Sequence, residues 1–256
     1  MELTTTKFLP NASESREALE SLQLEIAATA DFTDSADSLV RRIDAGDAVI
    51  AGIDQAFLDG GSRAISAIVV LSNGEIQERV HAVSTVDMAY IPGLLAFREG
   101  PPIIKALQAL ETVPDVLIFD GSGRIHFREA GIATHIGVLF DVPAIGVTKN
   151  LLCGTPEESL DGLSEESRVS VTADNTMTTP SGTIVGYAYQ SRQFPDSKRI
   201  NPIYVSPGHR VAASTAVDIV AAVGGSYKLP KPIRLADSYA AQIKATDTPE
   251  HESESA

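Results

Sequence analysis

Three carboxylates in this chain stand where a carboxylate needs a reason. Asp54 interrupts an apolar run, following Val49-Ile50-Ala51-Gly52-Ile53. Asp120 ends a second run, Val116-Leu117-Ile118-Phe119, and Gly121 follows it directly. Glu99 lies just ahead of Pro101-Pro102, where a helix is expected to begin. A carboxylate in an apolar strand is costly unless a partner neutralises it. A divalent cation would do so, and oxygen donors without a cysteine cluster favour Mg2+ or Mn2+ over zinc. The alternative is that Asp54 pairs with an arginine and Glu99 caps a helix.

Other reactive groups each admit two readings. Lys149 follows the apolar run 144–147, so it either snorkels to solvent or meets a phosphate. His126 and His209 lie in glycine-containing turns, where a histidine is a loop residue or a proton carrier. His135 sits among small residues and reads as a packed, hydrogen-bonded core group. Gly121-Ser122-Gly123 could cradle a phosphate, but no Gly-Lys-Ser/Thr follows it.

The elements that must position these groups follow from periodicity. Residues 12–45 carry helical spacing, with Ser13 and Ser35 as candidate caps. Residues 48–58, 64–71 and 75–84 read as three successive antiparallel strands, and Asn73-Gly74 marks a hairpin between the last two. Tyr90-Ile91-Pro92-Gly93 is a loop, and helical spacing follows over 94–110. Residues 116–119, 130–139 and 144–147 then form a strand–helix–strand unit, right-handed by strong rule. Asp120 and Lys149 close its two strands, at the sheet edge where ligands bind in open α/β folds. Beyond it, 169–173 and 184–189 read as strands around a turn at 179–182. A short strand at 202–205 precedes a loop carrying His209, and a helix spans 215–223. The segment 246–256 is polar and acidic and reads as a disordered tail.

Bulk properties set limits. A chain of 256 residues, 43% hydrophobic, can bury one substantial core. No apolar run reaches the roughly 18 residues of a membrane span, and the N-terminus lacks the apolar core of a signal peptide. The single cysteine fits a reducing cytoplasm. A net charge of −14 opposes non-specific binding to nucleic acid, leaving room only for a local basic track, and it suits a salty cytosol. The track candidates are Arg98, Arg124, Arg128, Lys149, Arg192, Lys198, Arg199 and Arg210.

Together these stretches resemble the endonuclease V family. The resemblance runs through Ala51-Gly52-Ile53-Asp54, then from Tyr90-Ile91-Pro92-Gly93 to Arg98-Glu99-Gly100-Pro101. It continues through Asp120-Gly121-Ser122-Gly123, His126 and Arg128 to Val138, and through Ile145 to Lys149. Pro202 to His209 and Leu229-Pro230 to Asp237 complete the order, so that roughly residues 30–240 are covered.

The resemblance implies a ribonuclease H-like fold over 1–245: a mixed sheet of three antiparallel strands followed by parallel ones, with helices on both faces. It implies a metal-dependent endonuclease cutting the second phosphodiester bond 3′ to inosine, leaving 3′-hydroxyl and 5′-phosphate ends. The role would be DNA repair or inosine-RNA processing. Asp54, Glu99 and Asp120 map to the metal ligands of Mg2+, for which Mn2+ may substitute. Asp54, Asp120, Lys149 and His209 map to catalysis. Tyr90, Ile91, Pro92 and Gly93 map to a wedge at the lesion, with Gly121, His126 and Arg128 as further nucleic-acid contacts. The expected partner is inosine-containing DNA or RNA, bound by a cytoplasmic monomer with no membrane association. The chain departs from the family at Phe127, Arg124 and Ala212, and loss of a capping serine at 212 would require Ser214 to replace it. The alternatives are another ribonuclease H-like structure-specific nuclease and a non-catalytic nucleic-acid-binding relative.

Overall fold

The structure is a computed structural model that describes the chain except residues 12, 35, 37, 195–198 and 248–256. The proposed cap Ser35, the basic candidate Lys198 and most of the acidic tail lie outside the described residues. Three strands open the sheet: β1 (Val49–Leu58), β2 (Arg63–Ser72) and β3 (Glu75–Thr85), each antiparallel to the next. Asn73 and Gly74 both take positive φ, 49° and 70°, the backbone that a two-residue hairpin between twisted strands demands. β4 (Val116–Asp120) lies parallel to β1, and β5 (Ala144–Thr148) parallel to β4. β9 (Ile203–His209) then runs antiparallel to β5. It is followed outward by β8 (Ile184–Tyr189), β7 (Arg168–Thr172) and the two-residue β6 (Thr155–Pro156). The order across the sheet is β3-β2-β1-β4-β5-β9-β8-β7-β6.

Side-chain alternation sends the central strands' residues to two cores. Ala51, Ile53, Leu117 and Phe119 join the core built with α1 (Arg16–Thr29), α3 (Leu95–Gln108) and α4 (Ile132–Phe140). Ile50, Val116, Ile118, Ile145 and Val147 join the opposite core, with α2 (Leu39–Asp44), α5 (Ala213–Ala222) and the start of α6 (Lys231–Asp247). By the same alternation Asp54 and Asp120 belong to the α6 face. Gly52 is required there, because a Cβ would lie 2.2 Å from the Pro232 carbonyl oxygen.

The structure differs from the sequence expectation in five places, the last of them the cap of α5. α3 begins at Leu95, so Glu99 lies inside it and Pro101 and Pro102 interrupt it rather than start it. The prolines remove two intrahelical donors, but the helix persists because Phe97, Ile103, Ile104 and Leu107 are buried on its inner side. β9 extends through Ser206–His209, which read as a loop, because those residues pair with β5 from Ala144 to Gly146. α6 was not anticipated; it runs to Asp247, into the segment read as tail, and Asp247 pairs with Arg63 at 2.7 Å. Ser15 rather than Ser13 caps α1, accepting from the Ala18 amide at 3.2 Å.

Neither Ala212 nor Ser214 caps α5. Asp34 does so from the other end of the chain. It accepts from the Ala212 amide at 3.1 Å and from the Thr215 hydroxyl at 2.8 Å.

Candidate active site

Parallel pairing sets Ile53 opposite Phe119, so the next residues, Asp54 and Asp120, end side by side on the α6 face. Asp120 in turn lies level with Val147 on β5, and Lys149 follows two residues on with the same facing. The Lys149 ammonium stands 3.6 Å from the Asp120 carboxylate and is 57% exposed. Glu99 approaches the same end of the sheet from α3, in the opposite layer.

The electrostatics bind these groups into one site. Asp54 is 8% exposed and its pKa is pushed up to about 7, first by burial, then by repulsion from Asp120 and Asp237. Glu99, 6% exposed, is also raised to about 7, again by burial, with Asp54 and Asp120 adding to it and Arg98 opposing it. Asp120 is raised by burial and by Asp237, and held down by Lys149. Among the described residues no three acidic or histidine side chains close on a common point at ligand distance. The four carboxylates share electrostatic reach, not a closed coordination shell. All are hard oxygen donors, and one lysine does not neutralise them, so a divalent cation suits the set.

Asp237 is the site residue that sequence reading missed, although it lay within the matched C-terminal stretch. Its signal was available: Pro232, Ile233, Ala236 and Ala240 form a buried helical stripe, and Asp237 borders it. Lys228 was missed too. Burial lowers its pKa, and the nearby charges of Arg199 and Lys149 lower it further, so Lys228 lies within charge range of the lysine that pairs with Asp120.

Tyr90 and Pro92 are exposed, Tyr90 by 64%, while Ile91 between them packs on Leu19, Met88, Leu94 and Phe97. The loop is thus anchored at its centre and offers an aromatic ring to solvent. Gly93 closes it with φ +81°. His126 donates from Nε2 to the Gly93 carbonyl at 3.0 Å, and its Nδ1 accepts the Arg128 amide at 3.2 Å. Burial and the Arg128 charge lower its pKa to about 4, so near neutral pH it is an uncharged fastener of this loop.

The structure does not bring His209 to the carboxylates. It pairs with Ala144, at the opposite end of β5 from Val147, and its side chain lies against Gly137 of α4 on the other face. There Nδ1 accepts the Asp31 amide at 3.1 Å and Nε2 donates to Asp141 at 3.0 Å. The Gly121 amide is spent on the Val147 carbonyl, and the Gly123 amide on the Ser206 hydroxyl. The glycines serve close packing here, since a Cβ on Gly123 would lie 2.3 Å from the Pro207 oxygen. His135 is buried as expected and donates to the Phe8 carbonyl at 2.6 Å. Several basic candidates are committed to acids: Arg124 to Glu129, Arg192 to Glu165 and Arg210 to Asp141. Arg98 instead stacks over the Phe57 ring.

Comparison with known proteins finds relatives along nearly the whole chain. The family model described as endonuclease V matches residues 35–238. An endonuclease V of Natronomonas pharaonis is 61% identical over 245 residues, spanning 96% of this chain and 98% of that protein. The crystal structure of Bacillus subtilis endonuclease V superposes with a TM-score of 0.79 at 26% identity, covering 96% of this chain and 98% of the other. An endonuclease V of Ciona intestinalis, solved with DNA containing an inosine followed by a ribo-adenosine, superposes with a TM-score of 0.73 at 25% identity. That match covers 90% of this chain and 98% of the other. The carboxylate-bearing mixed sheet is a ribonuclease H-like fold, and the chain belongs to the endonuclease V family of endonucleases.

Proposed function

We propose that this protein cleaves the second phosphodiester bond 3′ to inosine in DNA or RNA, with Mg2+ or Mn2+ as cofactor, leaving 3′-hydroxyl and 5′-phosphate ends. The observation that carries the reading is that Asp54, midway along β1, lies beside Asp120 at the end of the neighbouring β4. Both are raised in pKa by burial, beside Lys149 and within reach of Glu99. Buried like charges of this kind are sustained by a cation and mark functional sites. The Ciona relative's complex with inosine-containing DNA supports the choice of lesion.

Asp54, Asp120 and Glu99 would hold the cation, with Asp237 beside them. When bound, it supplies an acidified water and relieves charge on the phosphate and the leaving oxygen. Lys149 places a positive charge next to Asp120, where it can face the scissile phosphate. The 3′-oxygen departs as a hydroxyl while the phosphate stays on the downstream 5′ end. Tyr90 and Pro92 would enter the stack at the lesion, and the displaced base would leave the duplex. His126 takes no part in proton transfer on this reading, since both ring nitrogens hold the loop. His209 likewise acts at a distance, as a tie between Asp31 and Asp141.

The test is cleavage of matched inosine-bearing and plain strands, as DNA and as RNA, with Mg2+, with Mn2+ and with chelator. Metal-dependent cuts confined to inosine strands, one nucleotide beyond the lesion's own 3′ bond, are expected. Equal cutting of plain strands would make it a structure-specific nuclease instead. No cutting under any condition would leave a binding protein.

A further inference from the structure

One buried side chain from outside both segments joins the Tyr90 loop to the turn behind Asp120. Gln23 lies on α1, ahead of the matched residues 35–238. It occupies the helix's inward stripe with Leu19 and Ile26, a position where spacing calls for an apolar residue. Its side chain is 0% exposed, so a polar group there has to be satisfied internally.

It is fully satisfied, and by the site. The Gln23 amide donates to the Gly93 carbonyl at 2.8 Å and to the Ala130 carbonyl at 3.2 Å. Its own carbonyl accepts Arg128 Nε at 2.7 Å. Only this orientation of the amide works, because the two carbonyls need donors and the guanidinium needs an acceptor. One end of the bridge therefore holds the residue that closes the Tyr90 loop. The other holds the turn that starts at Asp120 and ends at Gly131. Glu20, one turn earlier on α1, supports Arg128 at 3.6 Å.

We infer that Gln23 is a positioning residue that sets the spacing between the lesion-reading loop and the cutting carboxylates. It thereby governs base discrimination and the position of the cut. The inference rests on the function proposed above. Pushing an aromatic into a base stack has to unstack the bases, and a loop held loosely would yield before the stack did. An amide suits the place because it donates twice and accepts once; glutamate cannot donate, and methionine can do neither.

The variants are Gln23→Met, which keeps length and apolar volume, and Gln23→Glu, which keeps the acceptor for Arg128. Two readouts are taken on full-length protein: the ratio of kcat/KM on inosine strands to plain strands, and amide hydrogen exchange. In Gln23→Met the ratio is expected to fall about tenfold, the equivalent of one hydrogen bond to a charged network. Cuts should spread to neighbouring bonds, and exchange should quicken in 90–93 and 121–131 while β1 and β4 keep their protection. Gln23→Glu should show the same loss at 90–93, because it too lacks the donor. A ratio within twofold of wild type, or exchange that quickens uniformly through the sheet, overturns the inference. Should Gln23→Met not fold, the same criteria apply to Gln23→Glu. If wild type itself does not distinguish inosine, the proposed function fails, and the exchange comparison still decides whether Gln23 couples the two segments.

Discussion

Replacing Asp54 by asparagine should stabilise the metal-free protein at alkaline pH while abolishing cleavage. Folding raises the Asp54 pKa from the ordinary 3.8 to about 7, with burial the first cause and Asp120 and Asp237 the next. A carboxyl with a raised folded-state pKa binds its proton more tightly when folded. Its stabilising effect is complete below pH 4 and is lost as pH climbs toward 7. At about 1.4 kcal/mol per pKa unit, Asp54 alone withdraws about 2–3 kcal/mol between pH 5 and pH 8. Asparagine keeps an acceptor for the Gln55 amide and does not titrate. The stability difference between Asp54→Asn and wild type should therefore move in the variant's favour by that amount across the interval. For a chain of this size, that is a relative Tm gain of about 5–10 °C. Thermal unfolding in chelator at both pH values, with each protein its own reference, removes any constant cost of the substitution. Added Mg2+ should raise wild type and close the gap. If the difference is the same at both pH values, Asp54 is not a buried, repelled carboxylate, and the site as described here is wrong.

Three further outcomes are expected. Tyr90→Ala should reduce discrimination between inosine and normal strands by the loss of about 1–3 kcal/mol of stacking, with little change in Tm because the ring is exposed; a drop in Tm with intact discrimination would refute the wedge. Metal-free protein should bind inosine strands much more weakly than the Mg2+ form, and Asp54→Asn, Glu99→Gln and Asp120→Asn together should recover part of that affinity without cleavage; equal anisotropy titrations for all three states would mean that the carboxylates do not face the phosphate. Asp34→Ala should cost about 1 kcal/mol by uncapping α5 and leave turnover unchanged, so an unaltered melting curve would argue against the long-range cap.

Asp54 and Asp120 were legible because their signal is local. A carboxylate inside an apolar strand run marks Asp54, and a run that stops at a carboxylate and a glycine marks Asp120 as a strand end, whatever surrounds them. The Asn73-Gly74 hairpin and the exposed Tyr90 loop were legible for the same reason, since turn chemistry belongs to the residues that turn. The α3 start was misread because a proline pair is a local helix-start signal, whereas burial of Phe97 and Leu107 carries one helix through it. His209 was misread because glycine and proline at 207–208 look like a loop, whereas pairing with β5 makes them strand.

Local residue order alone sets the carboxylate inside β1, the carboxylate that ends β4, the lysine that follows β5 and the loop that carries Tyr90. Each depends on the order of a few neighbouring residues. Only the tertiary structure decided which groups meet. It brought Glu99 from one helical layer and Asp237 from the other to the same sheet end, and it carried His209 away to Asp141. It also made Asp34 the cap of a helix 178 residues on and Gln23 the tie between Gly93 and Ala130. Periodicity records which face of an element is buried. It does not record the partner across the core, because that partner is chosen by packing between segments far apart in the chain.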